Sequence, residues 1–160
     1  MKKVSFCWMT FFMVSLLSVE LISCSSDEEP DQTAIYAEKI QGNWELVGRR
    51  NRALSIDYIK EEHYSKVVTF SKSSNNSGTY KMFIEDSTLG NKTTDEIENS
   101  FIIDQDISSG KIILRMKFTN INGDSWTDSY IEFSDNYNTL CILKKTPTGY
   151  LDIDEKYKRK

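Results

Sequence analysis

Lys111-Ile112-Ile113-Leu114-Arg115-Met116-Lys117-Phe118 is the stretch on which the reading of this chain turns. Ile112, Leu114, Met116 and Phe118 share one side of a period of two, and Lys111, Arg115 and Lys117 take the other. A segment of this kind is a strand with one face on an apolar core and one in water. The same period recurs at about 43–49, 66–71, 78–85, 100–104, 126–133, 139–144 and 150–159, which makes eight candidate strands. In the last of them Leu151, Ile153 and Tyr157 lie opposite Asp152, Asp154, Lys156 and Lys158.

The breaks at 108–110, 120–124, 134–138 and 146–149 are short and rich in turn residues, and 71–77 is longer but still of hairpin size. Sequential hairpins place chain neighbours side by side, and eight strands with two exposed edges close most economically on themselves. The expected fold is therefore all-β: an eight-stranded antiparallel up-and-down barrel, with a short helix over 33–41 capped by Thr33 or Asp31. Two segments depart from the pattern. Residues 49–65 are expected as a short helix or an ordered loop over one barrel end, and the polar stretch 85–99 as a mobile loop.

The N-terminus carries Lys2 and Lys3, an apolar run over 4–19, and Leu21-Ile22-Ser23-Cys24. These are the parts of a secretory signal, too short and too interrupted by Ser and Thr for a membrane span. The Leu-Ile-Ser-Cys stretch resembles the lipobox of bacterial lipoproteins. That resemblance implies cleavage before Cys24, a diacylglycerol on its sulfur and acylation of the new amino terminus, and a multiply acylated cysteine is a stable anchor. Residues 1–23 are then a signal peptide, 24–32 an acidic flexible tether and 33–160 the folded domain. Asp27, Glu28, Glu29 and Asp31 stand in a stretch without apolar side chains, which cannot offset its ordering entropy. Acids directly after the lipidated Cys also resemble a surface-export signal, so the expected place is the cell-surface side of an outer membrane, with its periplasmic face as the alternative.

Cys7 leaves with the signal and Cys24 carries lipid, so Cys141 is alone in the domain, a packed thiol with no disulfide partner. Loss of Lys2, Lys3 and Glu20 takes the net charge from −4 to −5, which offers no basic surface for nucleic acid. A monomer is expected.

Gly42-Asn43-Trp44, preceded by Ile40 and followed by Leu46, resembles the Gly-x-Trp signature that opens the first strand of lipocalins and of lipocalin-like domains in bacterial lipoproteins. The resemblance implies a short helix before the motif, eight antiparallel strands after it, and an Arg from the last strand over the Trp ring. Arg159 stands in that place, so Trp44 and Arg159 would pin the first strand to the last. The chain has no counterpart of the family's middle motif.

A barrel of eight strands is just wide enough to fill itself with side chains or to hold one small ligand. Bulky residues such as Phe70, Tyr80, Met82, Leu114, Met116 and Phe118 are expected to point inward, and either outcome fits them. If a pocket exists, Tyr58, Tyr80, Met82 and Met116 are the candidate contacts for a small apolar or amphiphilic ligand. In the resembling family the loop corresponding to 49–65 lids the barrel mouth. A pocket would then open beneath it, near Tyr58, with Arg49, Arg50 and Arg52 meeting an anionic head group. Alternatively Leu54, Ile56 and Ile59 plug the barrel end as core. A filled barrel would act through its loops as an interaction or inhibitor module at the cell envelope.

Nothing in the residues points to catalysis, a cofactor or a metal. His63, the single histidine, sits in Glu61-Glu62-His63 as solvated surface, and no local motif pairs it with a nucleophile. Asp104-Gln105-Asp106-Ile107-Ser108 fails as a calcium loop, because Ser109 stands where Gly is needed and Arg115 where a bidentate Glu is needed. Asp152 and Asp154 read as neighbours on the solvent face of a strand rather than as a catalytic dyad.

Overall fold

Helix α1 (Gln32–Lys39) leads into eight strands: β1 (Gly42–Asn51), β2 (Tyr64–Lys72), β3 (Ser77–Asp86), β4 (Thr93–Gln105), β5 (Ile112–Asn120), β6 (Gly123–Ser134), β7 (Thr139–Lys144) and β8 (Ile153–Arg159). The structure, a computed structural model, describes residues 31–52, 54, 57–144 and 153–160. The signal peptide, Cys24, the tether up to residue 30, Ile56 and residues 150–152 of the last expected strand lie outside the described residues. Every strand pairs antiparallel with its chain neighbours, and β8 returns to β1, so the sheet closes into an up-and-down barrel with no free edge.

Alternation decides what the barrel holds. Trp44, Phe70, Phe101, Ile103, Leu114 and Leu140 point inward from five different strands and are shut off from solvent. Each such side chain contributes roughly 1.5 to 3 kcal/mol relative to exposure. Phe70 meets Phe101 edge-on at 5.3 Å and Tyr80 at 6.4 Å, so the aromatic rings fill this half of the interior.

Helix α1 seals that end. Asp31, not Thr33, is its N-cap, accepting a hydrogen bond from the Thr33 amide at 2.9 Å. Ala37 and Ile40 are fully buried, and Tyr36 stacks on Phe133 at 5.3 Å. Where the helix ends, the Trp44 indole donates to the Ile40 carbonyl at 2.6 Å. The Arg159 guanidinium lies over the Trp44 ring at 4.4 Å and donates to the carbonyls of Lys39 and Gln41, both at 2.6 Å. Gly42 has φ +107°, and a Cβ there would sit 3.1 Å from Arg159 Nη1. The glycine of Gly-x-Trp is thus needed for its backbone and for the room it leaves the arginine.

One sequence expectation is corrected, and another is decided between its two alternatives. The loop expected over 85–99 is confined to 87–92, because β3 runs to Asp86 and β4 begins at Thr93, in unbroken register from Asp86↔Thr93 to Ser77↔Ile102. The early residues of β4 are polar because they stand at an exposed end of the barrel, where only Ile97 and Asn99 turn half-buried faces inward. Backbone pairing and the Lys81–Glu96 ion pair hold what apolar alternation does not announce. Of the helix and the ordered loop expected for 49–65, the described residues form no helix and take the ordered course. The chain folds back so that Ile59 exchanges backbone hydrogen bonds with Arg49, at 2.8 and 2.9 Å.

Candidate functional site

The half of the barrel remote from α1 is not filled. A cavity of about 270 Å³ lies among the far ends of the strands, reaching Arg49 on β1, Lys66 on β2, Phe118 on β5, Lys144 on β7 and Glu155 on β8. Its floor is apolar, formed by Val68, Met82, Met116 and Ile142. Among the described residues its wall carries the cations Arg49, Lys66 and Lys144, and one acid, Glu155.

Parity places three of these charges inside. Lys66 shares a face with Val68 and Phe70, Lys144 with Leu140 and Ile142, and Glu155 with Ile153 and Tyr157. Arg49 enters differently. Opposite β8 the register shifts between Leu46 and Gly48, so Val47 is the extra residue of a bulge. One extra residue reverses the faces beyond it, turning Gly48 outward and Arg49 inward.

Inside the cavity Lys66 Nζ contacts both carboxylate oxygens of Glu155, at 3.0 and 2.8 Å, and the Tyr157 hydroxyl donates to the same carboxylate at 2.6 Å. Burial, reinforced by the neighbouring Glu155 charge, holds the Tyr157 phenol well above its ordinary range, so it stays a donor. Arg49 Nη1 reaches out to Glu61 at 3.0 Å, while its Nε lies 3.9 Å from Glu155 Oε1. Among the described residues, that Nε is a buried side-chain nitrogen without a hydrogen bond.

The candidate contacts named from sequence divide. Met82 and Met116 line the cavity. Tyr80 lies in the filled core instead, packed on Phe70 and Phe118, with its hydroxyl donating to the Lys117 carbonyl and its phenol pushed up to about 12 by burial. Tyr58 is on the outside of the barrel. It covers Gly48, where a Cβ would approach it to 3.0 Å, and it meets the Arg50 guanidinium at 4.6 Å and hydrogen-bonds Cys141. Cys141 is half-buried beneath it, and burial pushes its thiol up.

The described apolar residues Leu54, Tyr58 and Ile59 of the segment 49–65 therefore neither lid nor plug the barrel. Leu54 is 72% exposed and Ile59 61%, and Ile56 lies outside the described residues. Of the three arginines only Arg49 reaches the cavity. Arg50 and Arg52 grip Asp154 on the outer wall, at 3.2 and 2.7 Å. Asp154 does face out of the strand, but these two side chains remove it from solvent entirely. It also accepts the Lys144 amide at 3.3 Å, so it ties the strap to both β7 and β8.

His63 is exposed, and its carbonyl accepts the Ser87 amide at 2.9 Å. Asp106 organises the β4–β5 turn, accepting Ser108 Oγ and the Tyr130 hydroxyl, each at 2.7 Å. Among the described residues no group of three or more His, Cys, Asp or Glu side chains is placed to hold a metal ion.

No family model matches the chain, and no curated protein matches it in sequence. Among solved structures it is similar to a point mutant of the fluorescent protein UnaG, at 14% identity over 77% of this chain and 97% of that one, with a TM-score of 0.44. At that level of likeness none of that protein's properties transfers to this chain.

A fully enclosed carboxylate held by two arginines should matter more than any exposed pair. Asp154→Asn is expected to lower stability in urea by about 2 kcal/mol, the scale of hydrogen bonds to charged groups, because Arg50 and Arg52 can still reach water. Glu38→Gln, which breaks the exposed Lys72–Glu38 pair, should cost at most about 1 kcal/mol. Equal losses in the two variants would contradict the assignment.

Proposed function

We propose that the barrel binds one small anionic amphiphile in the cavity remote from α1. The observation that carries this reading is the composition of that cavity: an apolar floor beneath three cations and a single acid. A short alkyl tail has the floor to cover it. A carboxylate or similar head meets Lys66, with Lys144 nearby and Arg49 left to balance Glu155, and charge-assisted hydrogen bonds are the strong kind. The size is restrictive. At about 30 Å³ per water-sized unit, 270 Å³ takes on the order of ten non-hydrogen atoms, which is the size of octanoate. This makes the domain a binding protein rather than an enzyme.

Calorimetric titration of the full chain tests this. At roughly 0.6 kcal/mol per non-hydrogen atom, between the efficiencies of the smallest and of drug-sized ligands, octanoate should bind with a Kd of roughly 40 µM. Palmitate should bind more weakly, and Lys66→Met should weaken octanoate by about tenfold or more. No measurable octanoate binding would contradict the proposal. A filled-barrel module acting through its loops would then gain ground, since Leu54, Leu89 and Ile121 are exposed on three connections at the cavity end.

The anchoring reading is part of the same proposal and is supported by the sequence around Cys24. The domain would be held by lipid on Cys24 at the outer membrane, with Asp27, Glu28 and Glu29 directing it to the cell surface. In bacterial cells fed an alkynyl fatty acid, the wild type should take the label and be cut by external protease, and Cys24→Ser should carry no label. Equal labelling of both, or full protection of the labelled protein in intact cells, would contradict it.

A further inference from the structure

The ion pair inside the cavity has unused capacity. Lys66 is only 11% exposed and is matched by one carboxylate, Glu155, which already accepts two contacts from Lys66 and one from Tyr157. A carboxylate offers about four acceptor positions, so one remains. Arg49 Nε stands 3.9 Å away with no hydrogen bond, and a shift of about 1 Å would bring Glu155 to ordinary hydrogen-bond distance. The cavity therefore holds two cationic positions for one internal anion, with Lys144 as a third cation in its wall.

We propose that Glu155 is a built-in competitor: in the empty barrel it occupies the place of a ligand carboxylate at Lys66 and Tyr157, and an incoming carboxylate displaces it onto Arg49. This rests on the binding reading above and names how that site is regulated. A pair kept only for stability would leave no donor orphaned, because a buried unpaired group is costly. A site that must wait empty has the opposite need. Lys66 cannot stand buried without a counter-charge, and Glu155 supplies one that can be moved rather than lost. The consequence is a lowered apparent affinity, since only the fraction of molecules with Glu155 displaced is competent to bind. Removing the competitor's charge should recover that affinity for anions alone.

The test compares octanoate with 1-octanol, the same chain without charge, by calorimetry on the full chain. Glu155→Gln should bind octanoate about tenfold more tightly than the wild type and leave octanol unchanged. If the wild type binds both ligands and Glu155→Gln gains nothing for octanoate, or gains equally for both, this inference fails while the binding reading stands. If neither ligand binds any form, the binding reading fails and this inference with it. Should Glu155→Gln not fold, Glu155→Asp, whose shorter carboxylate reaches Lys66 less well, should also bind octanoate more tightly than the wild type and leave octanol unchanged. No gain for octanoate there, or an equal gain for octanol, would overturn the inference.

Discussion

Arg159 is the side chain on which the closure of this molecule depends. Its guanidinium stacks on Trp44 while donating to Lys39 and Gln41, and its Nε and Nη2 both reach the Tyr137 carbonyl at 3.3 Å. One planar group thus joins the end of α1, the start of β1, the β6–β7 turn and the last strand. A lysine could not do this, because a single ammonium lacks the flat fork that stacks and donates in several directions. A cation at the end of α1 also meets the negative end of the helix dipole. The turn it touches needs holding, since Asp135, Asn136 and Tyr137 all adopt positive φ, at 57°, 52° and 63°. Consecutive left-handed residues are costly unless the surroundings fix them. Here the Arg159 amide donates to the Asn138 carbonyl at 3.0 Å while the guanidinium grips Tyr137.

With one end latched and packed, the other is free to differ. The barrel divides along its axis into an aromatic half that contributes stability and a half with a charged cavity. The bulge at Val47 governs the second half, because it separates three neighbouring arginines into different roles. Arg49 turns inward to the cavity, whereas Arg50 and Arg52 bind Asp154 on the outer wall. The strap that follows covers Gly48 with Tyr58 and leaves Leu54 and Ile59 largely in water.

The eight strands were legible in the sequence because one face of most of them is apolar, and period two is visible wherever that holds. Trp44 and Arg159 were legible through the Gly-x-Trp resemblance and the position of Arg159 in the last strand. The first half of β4 was not, because its pairing to β3 is made by backbone groups that leave no apolar trace. Arg49 was named with Arg50 and Arg52 as a contact for an anionic head group, but nothing in the sequence singled it out as the one that turns inward. Counting from Trp44 and Leu46 places it outside, and only the bulge reverses that count. Lys66, Lys144 and Glu155 were available from parity with their apolar neighbours, but charge alone argued for the outside. Asp154 was placed on the correct face, and its burial depends on two arginines about a hundred residues away, a contact no local pattern carries.

The most direct test of this account is the coupling between Trp44 and Arg159. Unfolding free energies of Trp44→Phe, Arg159→Ala and the double variant form a cycle that isolates the contact. A guanidinium stacked on a buried indole predicts a coupling of about 1 kcal/mol or more, with the double variant losing less than the two single losses added together. Strict additivity would contradict the latch, and with it the claim that this pair closes the barrel.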